Sequence, residues 1–190
     1  MTRMPIVMLV TLCIVTACAP AARLSGAALP AKDAPDFTLA DGLTGQTVTL
    51  ASMRGTVVVL SFLYTRCPAV CPITAALFRS AQRTMGLDAP VRYVAVSVDP
   101  EGDTPARVRA FSDAHDLGAG WHYLIGPRAH LQAVWAAYGV GSFADPSGMG
   151  VAHNDAIFVI DGRGKERELI HSDVKLADLV ADLRALASER

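Results

Sequence analysis

Cysteine is scarce and unevenly placed in this chain. Of the four it carries, Cys13 and Cys18 fall within the first twenty residues, which leaves Cys67 and Cys71 as the only thiols in everything that follows. Any thiol chemistry of the body of the protein therefore belongs to that pair. Charge is equally unremarkable: 17 Lys and Arg against 18 Asp and Glu give a net charge of −1, which implies no electrostatic partner. The basic residues are scattered and aromatics make up only 6% of the chain, so nothing forms the basic stripe with interleaved aromatics that nucleic-acid binding needs. Long apolar runs are also missing. The stretch Pro5 to Val15 is apolar but too short to cross a bilayer comfortably. A length of 190 residues allows one domain with a sizeable core and little for a second.

The first residues read as a processing segment: Arg3 and the free amine are positive, the apolar stretch follows, and small residues come next. Val15-Thr16-Ala17-Cys18 looks like a bacterial lipobox, in which cleavage before the cysteine leaves Cys18 as a lipidated N-terminus. An ordinary signal peptide or an uncleaved anchor, with Cys18 incidental, is the alternative; Cys13 lies in the apolar region and is discarded on cleavage. We expect residues 1–17 to be the signal peptide, 18–35 a tether rich in alanine with Pro20, Gly26 and Pro30, and 36–190 the folded domain. The domain is thus expected in the bacterial cell envelope, facing the periplasm and held to a membrane by its lipid. An exposed dithiol there oxidises unless something reduces it.

Periodicity organises the rest. Phe37-Thr38-Leu39 and Gln46 to Leu50 alternate around Asp41-Gly42 and Thr44-Gly45, predicting a hairpin. Gly55 to Leu63 and Val91 to Val98 are β-branched, apolar runs that read as buried strands. Helical spacing runs from Ile73 to Met85, from Ala106 to about His115 behind a Thr104 cap and Pro105, and from Arg128 to Tyr138. Strand, helix, strand, helix implies right-handed parallel crossovers. Tyr123 to Ile125 is a further short strand, and Gly139 to Ala152 is a glycine-rich loop of a length that is often functional. The strand Ala156 to Ile160 follows and forms a hairpin with Glu166 to Ile170. Leu176 to Leu186 closes the chain as an amphipathic helix, with Ser172 or Asp173 as the expected cap. The whole is an α/β fold, a central mixed sheet flanked by helices with an N-terminal hairpin.

Tyr64 to Pro72, YTRCPAVCP, sits where a buried strand hands over to a helix. The unpaired N–H groups of a helix start lower a thiol's pKa and favour thiolate, the form that attacks disulfides and binds metals. Residues i and i+4 in a helical turn hold their Cβ atoms about 5–6 Å apart, whereas a relaxed disulfide wants about 3.5–4.5 Å. A disulfide here therefore needs adjustment. A metal with bonds near 2.3 Å to each sulfur holds them about 4 Å apart with less distortion, and the soft donors point to Cu(I). Two thiolates remain one donor short. His115, His122, His130 and His171 read as solvated or capping residues, while His153 closes the long loop and opens a central strand. Spacing alone leaves His153 open between a third ligand and an unpartnered loop histidine. Met149 is a weaker thioether candidate.

Three separated blocks over about Asp36 to Gly164 resemble the Sco/SenC copper-delivery family, whose members have a thioredoxin-like fold. YTRCPAVCP is similar to that family's Y-T-x-C-P-x-x-C-P, Ser97 to Pro105 (SVDPEGDTP) to its S-x-D-P-x-x-D-T-P, and His153 precedes AIFVIDGRG as the family's ligand histidine does. The resemblance implies a thioredoxin-like fold, copper ligation by Cys67, Cys71 and His153, and delivery of copper to the dinuclear copper site of cytochrome c oxidase; the bound ion is Cu(I) by its soft donors, with Cu(II) as a second state, and the state delivered is left open. Its implied partners are the copper-receiving subunit of that oxidase and a thiol reductase or an upstream copper donor. The family commonly has Asp after the first Cys-Pro and just before the histidine, where this chain has Ala69 and Ala152. Those losses bear on the surroundings of the ligands and leave the ligands themselves. A second class stays open, a thiol-disulfide oxidoreductase using Cys67 and Cys71 to keep target cysteines reduced. The segment before Ala156 to Ile160 lacks the proline of general thioredoxin-like reductases, and Thr65 is two residues from Cys67 rather than in a peroxiredoxin's T-x-x-C. A purely structural Cys67–Cys71 disulfide is the plainest alternative.

Overall fold

The computed structural model describes residues 23–86, 88–144 and 151–189, so Cys13, Cys18, Met149 and the expected signal segment lie outside the described residues. In chain order the strands are β1 (Ala27–Ala28), β2 (Thr38–Asp41), β3 (Thr47–Thr49), β4 (Val57–Leu63), β5 (Val91–Ser97), β6 (Trp121–Ile125), β7 (Ser142–Ala144), β8 (Val151–His153), β9 (Ile157–Ile160) and β10 (Glu166–Ile170). The helices are α1 (Val70–Met85), α2 (Pro105–Ala114), α3 (Arg128–Ala137) and α4 (Leu176–Ser188).

Eight strands form one mixed sheet in the order β1-β10-β9-β4-β5-β6-β2-β3. The parallel centre, β4 beside β5 beside β6, comes from the two β-branched runs and the crossover helices that return the chain to the same edge. Every residue of β4 is buried, as expected of a strand covered on both faces. Val59 pairs with Tyr93 while Phe62, three positions on, points to the opposite face. On the Tyr93 face lies Phe78 of α1, 5.4 Å from Tyr93 and 6.2 Å from Trp121 between ring centres, and Phe111 of α2 meets Tyr123 there. On the other face Tyr138, at the end of α3, packs against Phe62 and Phe158. Phe78 is fully buried, and cutting such a ring back to Ala costs about 3–5 kcal/mol.

The β2–β3 hairpin, the β9–β10 hairpin and the Thr104 cap, whose hydroxyl accepts the Arg107 N–H at 3.4 Å, are as the sequence predicts. Four expectations are corrected. Helix α1 begins at Val70, so Cys67 lies in the preceding turn and the two cysteines are not stacked on one helical face. The glycine-rich stretch is not all loop, because β7 and β8 pair with each other as a separate antiparallel ribbon. His153 ends that ribbon instead of opening the central strand, which starts at Ile157. Finally, α4 has Lys175 at its N-cap without a side-chain cap, and Ser172 gives its N–H and hydroxyl to Asp155 instead. Within the stretch read as tether, Ala27 and Ala28 pair with β10 and Ala34 is buried.

Candidate metal centre

Strand β4 delivers the chain to Tyr64, and a turn closed by the Cys67 N–H to the Tyr64 carbonyl at 3.2 Å places the first thiol before α1. Cys71 is the second residue of that helix and fully buried, whereas Cys67 is half-buried. Ala69, at the N-cap position, offers no side-chain acceptor to the helix start. The Cys67 sulfur fills part of that role: the Cys71 N–H points at Sγ of Cys67 over 3.4 Å.

Both thiols are free, and their protons are unequal. Cys67 is lowered to about 5, chiefly because Cys71 gives it a hydrogen bond, and further by the N–H groups of Ala69 and Cys71 and by Tyr64, against the opposing effect of burial. Cys71 is pushed far up, first because its proton is held by Cys67 and then by burial. The pair therefore loses its protons in two well-separated steps, and at neutral pH it is one thiolate and one thiol.

The turn is held from the neighbouring loop. Asp103, buried between β5 and α2, accepts from the Thr65 N–H at 2.9 Å and the Thr65 hydroxyl at 2.7 Å, and also from Ser97 at 2.6 Å and the Tyr123 hydroxyl at 2.9 Å. Arg66 reaches Asp99 at 2.7 Å, and Asp99 takes the Gly102 N–H at 3.0 Å. A side chain at position 102 would run into the Asp99 carboxylate and the Arg66 guanidinium and so would have to push that pair aside. Asp99 and Asp103 stand in the second of the three sequence blocks, but sequence reasoning gave them no task. The offset that joins them to Thr65 and Arg66 is a sheet register, β4 against β5, and no local spacing reports it.

His153 reaches this end of the molecule by topology. Strand β9 runs antiparallel to β4 with Ile157 opposite Ser61, so the residues before Ile157 and those after Ser61 come to the same end of the sheet. The backbone of His153 pairs with Ser142, Asn154 accepts the Gly141 N–H at 3.1 Å, and Asp155 is held by Ser172. Both sides of His153 are thereby fixed. The other four histidines are engaged or exposed elsewhere: His122 lies 3.0 Å from Asp41, His115 packs tilted against Phe111 at 4.6 Å between ring centres, His171 bonds the Asp155 carbonyl, and His130 is exposed. Among the described residues, no three His, Cys, Asp or Glu side chains gather as a ready metal site. Two soft sulfur donors, one ionised at neutral pH, suit a soft ion such as Cu(I), and the surface beside them exposes Pro68, Ala69 and Ile73 together with Arg66.

Comparison with known proteins places this geometry. The "SCO1 protein homolog" of Bacillus subtilis is 28% identical over 128 residues, a match that takes in 64% of this chain and 65% of that protein. The chain thus spans just under two thirds of that relative's length. A copper-bound ScoI structure from Bradyrhizobium japonicum is 29% identical with a TM-score of 0.73, covering 82% of this chain and 99% of that one. A SCO1/SenC family lipoprotein from Bacillus anthracis, 23% identical with a TM-score of 0.75 over 83% of this chain and 96% of that one, shares the fold. These neighbours make the architecture a thioredoxin-like one. With the SCO1/SenC family model matching residues 26–188, from the edge strand through both cysteines and His153 to the last helix, the chain belongs to the SCO1/SenC family.

Proposed function

We propose that this protein is an exported, membrane-anchored copper carrier that holds Cu(I) through Cys67, Cys71 and His153 and passes it to the dinuclear copper site of cytochrome c oxidase. The observation that carries the reading is the pairing of a low-pKa, half-exposed Cys67 with a buried Cys71 on a turn pinned by Asp103. Copper is the cargo. Two thiolates and one imidazole make a three-donor shell suited to Cu(I), and Cu(II) takes a further donor such as water. The related Bradyrhizobium structure holds copper, and the Bacillus anthracis neighbour is a lipoprotein, which supports the cargo and the anchoring through Cys18. The test is Cu(I) titration of the reduced protein against a chromophoric chelator. We expect one ion per chain, loss of tight binding in Cys67→Ser and Cys71→Ser, and marked weakening in His153→Ala. Unchanged affinity in His153→Ala removes that residue from the site.

One observation favours a second reading. A half-exposed thiolate beside a buried thiol is also the arrangement of a nucleophile and its resolving partner, so a thiol-disulfide oxidoreductase that reduces the recipient's cysteines fits the same pair.

A further inference from the structure

Far from the cysteines in sequence, two carboxyl groups face each other in the core where no charge is balanced. Glu168 on β10 is fully buried, and Asp182 on α4 is only 5% exposed. The register of β10 against β9 shifts between Glu166 and Glu168, pairing Glu166 with Ile160 but Glu168 with Val159. That shift turns the two glutamates to opposite faces of the sheet and sends Glu168 under α4. Glu166 finds a cation, Lys32, at 3.3 Å. Glu168 has none, and its Oε2 has neither solvent nor a hydrogen-bond partner.

What does bind the two carboxyls is the N-terminal segment. The Ser25 N–H and hydroxyl go to Asp182 Oδ2 at 3.1 and 2.5 Å, and the Gly26 N–H goes to Glu168 Oε1. Gly26 lies so close that a side chain there would run into Ile170 and Glu168. From these contacts the chain continues along β10: Ala27 and Ala28 pair with Leu169 and Glu168, Leu29 N–H reaches the Arg167 carbonyl, and Lys32 carbonyl accepts from Glu166. The groups facing Glu168 are therefore Ser25 and Gly26 from the N-terminal segment, Asp182 from α4 and Val159 from β9. Arg167, next to it on β10, is committed to Asp161 and Glu189. Among the described residues no cation pairs with Glu168 or Asp182.

We propose that Glu168 and Asp182 share one proton, and that this proton holds residues 25–28 on β10 as a pH-sensitive latch. With the proton present, the two carboxyls are joined by an O–H···O bond and still accept the N–H groups of Ser25 and Gly26. Without it, two buried carboxylates repel each other, and the relief available is to admit water by lifting the segment that covers them. Release frees residues 25–28 from the edge of the sheet. The latch stands on this carboxyl pair and is independent of the copper reading.

The sign follows from linkage. Burial first, and Asp182 next, push Glu168 up to about 7, against the downward pull of the Gly26 N–H, while a free Glu titrates near pH 4.3. The docked state thus keeps a proton that the released state has lost. Docking is fully favoured below about pH 4.3, weakens by about tenfold per pH unit above it, and levels off above about 7.

Hydrogen exchange of the full-length chain, corrected for the intrinsic pH dependence of exchange, tests this on peptides covering residues 23–34. Protection should fall between pH 5 and 7 and then level off in the native protein. Glu168→Gln, which keeps an acceptor for Gly26 and offers Asp182 a permanent donor, should stay protected and flat across that range. Flat protection in the native protein, or the native slope surviving in Glu168→Gln, overturns the latch. Carbon-13 titration of the carboxyl carbons in the unmodified protein gives an answer even if the variant folds poorly: one carboxyl should titrate near pH 7, and complete titration of all of them below pH 5 defeats the proposal.

Discussion

Asp103 accepts two hydrogen bonds from Thr65, at 2.9 Å from its N–H and 2.7 Å from its hydroxyl, so the turn bearing Cys67 is fastened to the loop after β5. The same carboxylate takes the hydroxyls of Ser97 and Tyr123. Bonds to an ionised acceptor are the stronger kind, and this one is buried. The position of Cys67 is thus set by the sheet, through Leu63 and Ser97 at the paired ends of β4 and β5.

Replacing Asp103 by Ala leaves four donors around one buried site without their acceptor. Leaving a single buried donor unsatisfied costs about 1–3 kcal/mol, and local rearrangement will recover part of the sum, so the expected loss is about 3 kcal/mol. Urea unfolding measures it. Cu(I) affinity should fall too, because the turn is no longer held, and the circular dichroism spectrum should remain native. Wild-type stability in Asp103→Ala would mean that the four bonds contribute nothing net.

Cys67 ionises at about 5 because the folded state surrounds its sulfur with donors, whereas an unperturbed thiol ionises near 8.5. A depressed pKa means that this group's contribution to stability is complete above about pH 8.5 and is lost as the pH falls towards 5. In the metal-free protein, iodoacetamide should modify Cys67 with a midpoint near pH 5 and leave Cys71 unmodified at neutral pH. Since Cys71 still holds its proton there, Cu(I) uptake at pH 7 should release about one thiol proton, read as the buffer dependence of the binding enthalpy. Alkylation of Cys67 with an ordinary midpoint near pH 8.5 would remove the basis for both expectations.

The buried strands were legible because β-branched runs allow little else, and the Thr104-Pro105 start of α2 because its chemistry is local. The cysteine pair was legible as a pair, but its geometry was not. Expecting Cys67 and Cys71 on one helical turn assumed that the turn before Ile73 was helical as far back as Cys67; the helix begins at Val70, with Ala69 at its N-cap, and leaves Cys67 outside it as an acceptor for the Cys71 N–H. The ribbon of β7 and β8 was hidden because strands this short in a glycine-rich stretch carry no alternation. Nothing in the sequence of the hairpin or of the amphipathic helix marks Glu168 and Asp182 as buried. Only the register shift beside Arg167 turns Glu168 inward, and a bulge leaves no mark in composition.

The anchor is tested apart from the metal. If Val15-Thr16-Ala17-Cys18 is cleaved before Cys18 and lipidated, intact-mass analysis of protein extracted from membranes should show acyl chains on an N-terminal Cys18. Cys18→Ser should block processing or release the domain. A mature chain with an unmodified terminus at another residue refutes the lipoprotein reading.

The two functional readings separate at His153. A reductase needs a thiolate and a resolving thiol, and Cys67 and Cys71 supply both, so removing the imidazole should leave most dithiol activity intact. A carrier needs the third donor to retain the ion until the recipient's own ligands displace it, because two sulfurs alone are an incomplete shell for transfer against competing thiols. In cells carrying His153→Ala, assembly of the oxidase copper site should therefore fail at limiting copper and recover when copper is added, while added reductant has no effect. Both cysteine variants should fail under either supplement. Full assembly in His153→Ala at limiting copper, alongside failure of both cysteine variants, reverses the conclusion: the pair would then act on the recipient's thiols, and His153, although held at the same end of the sheet, would have no share in moving the metal.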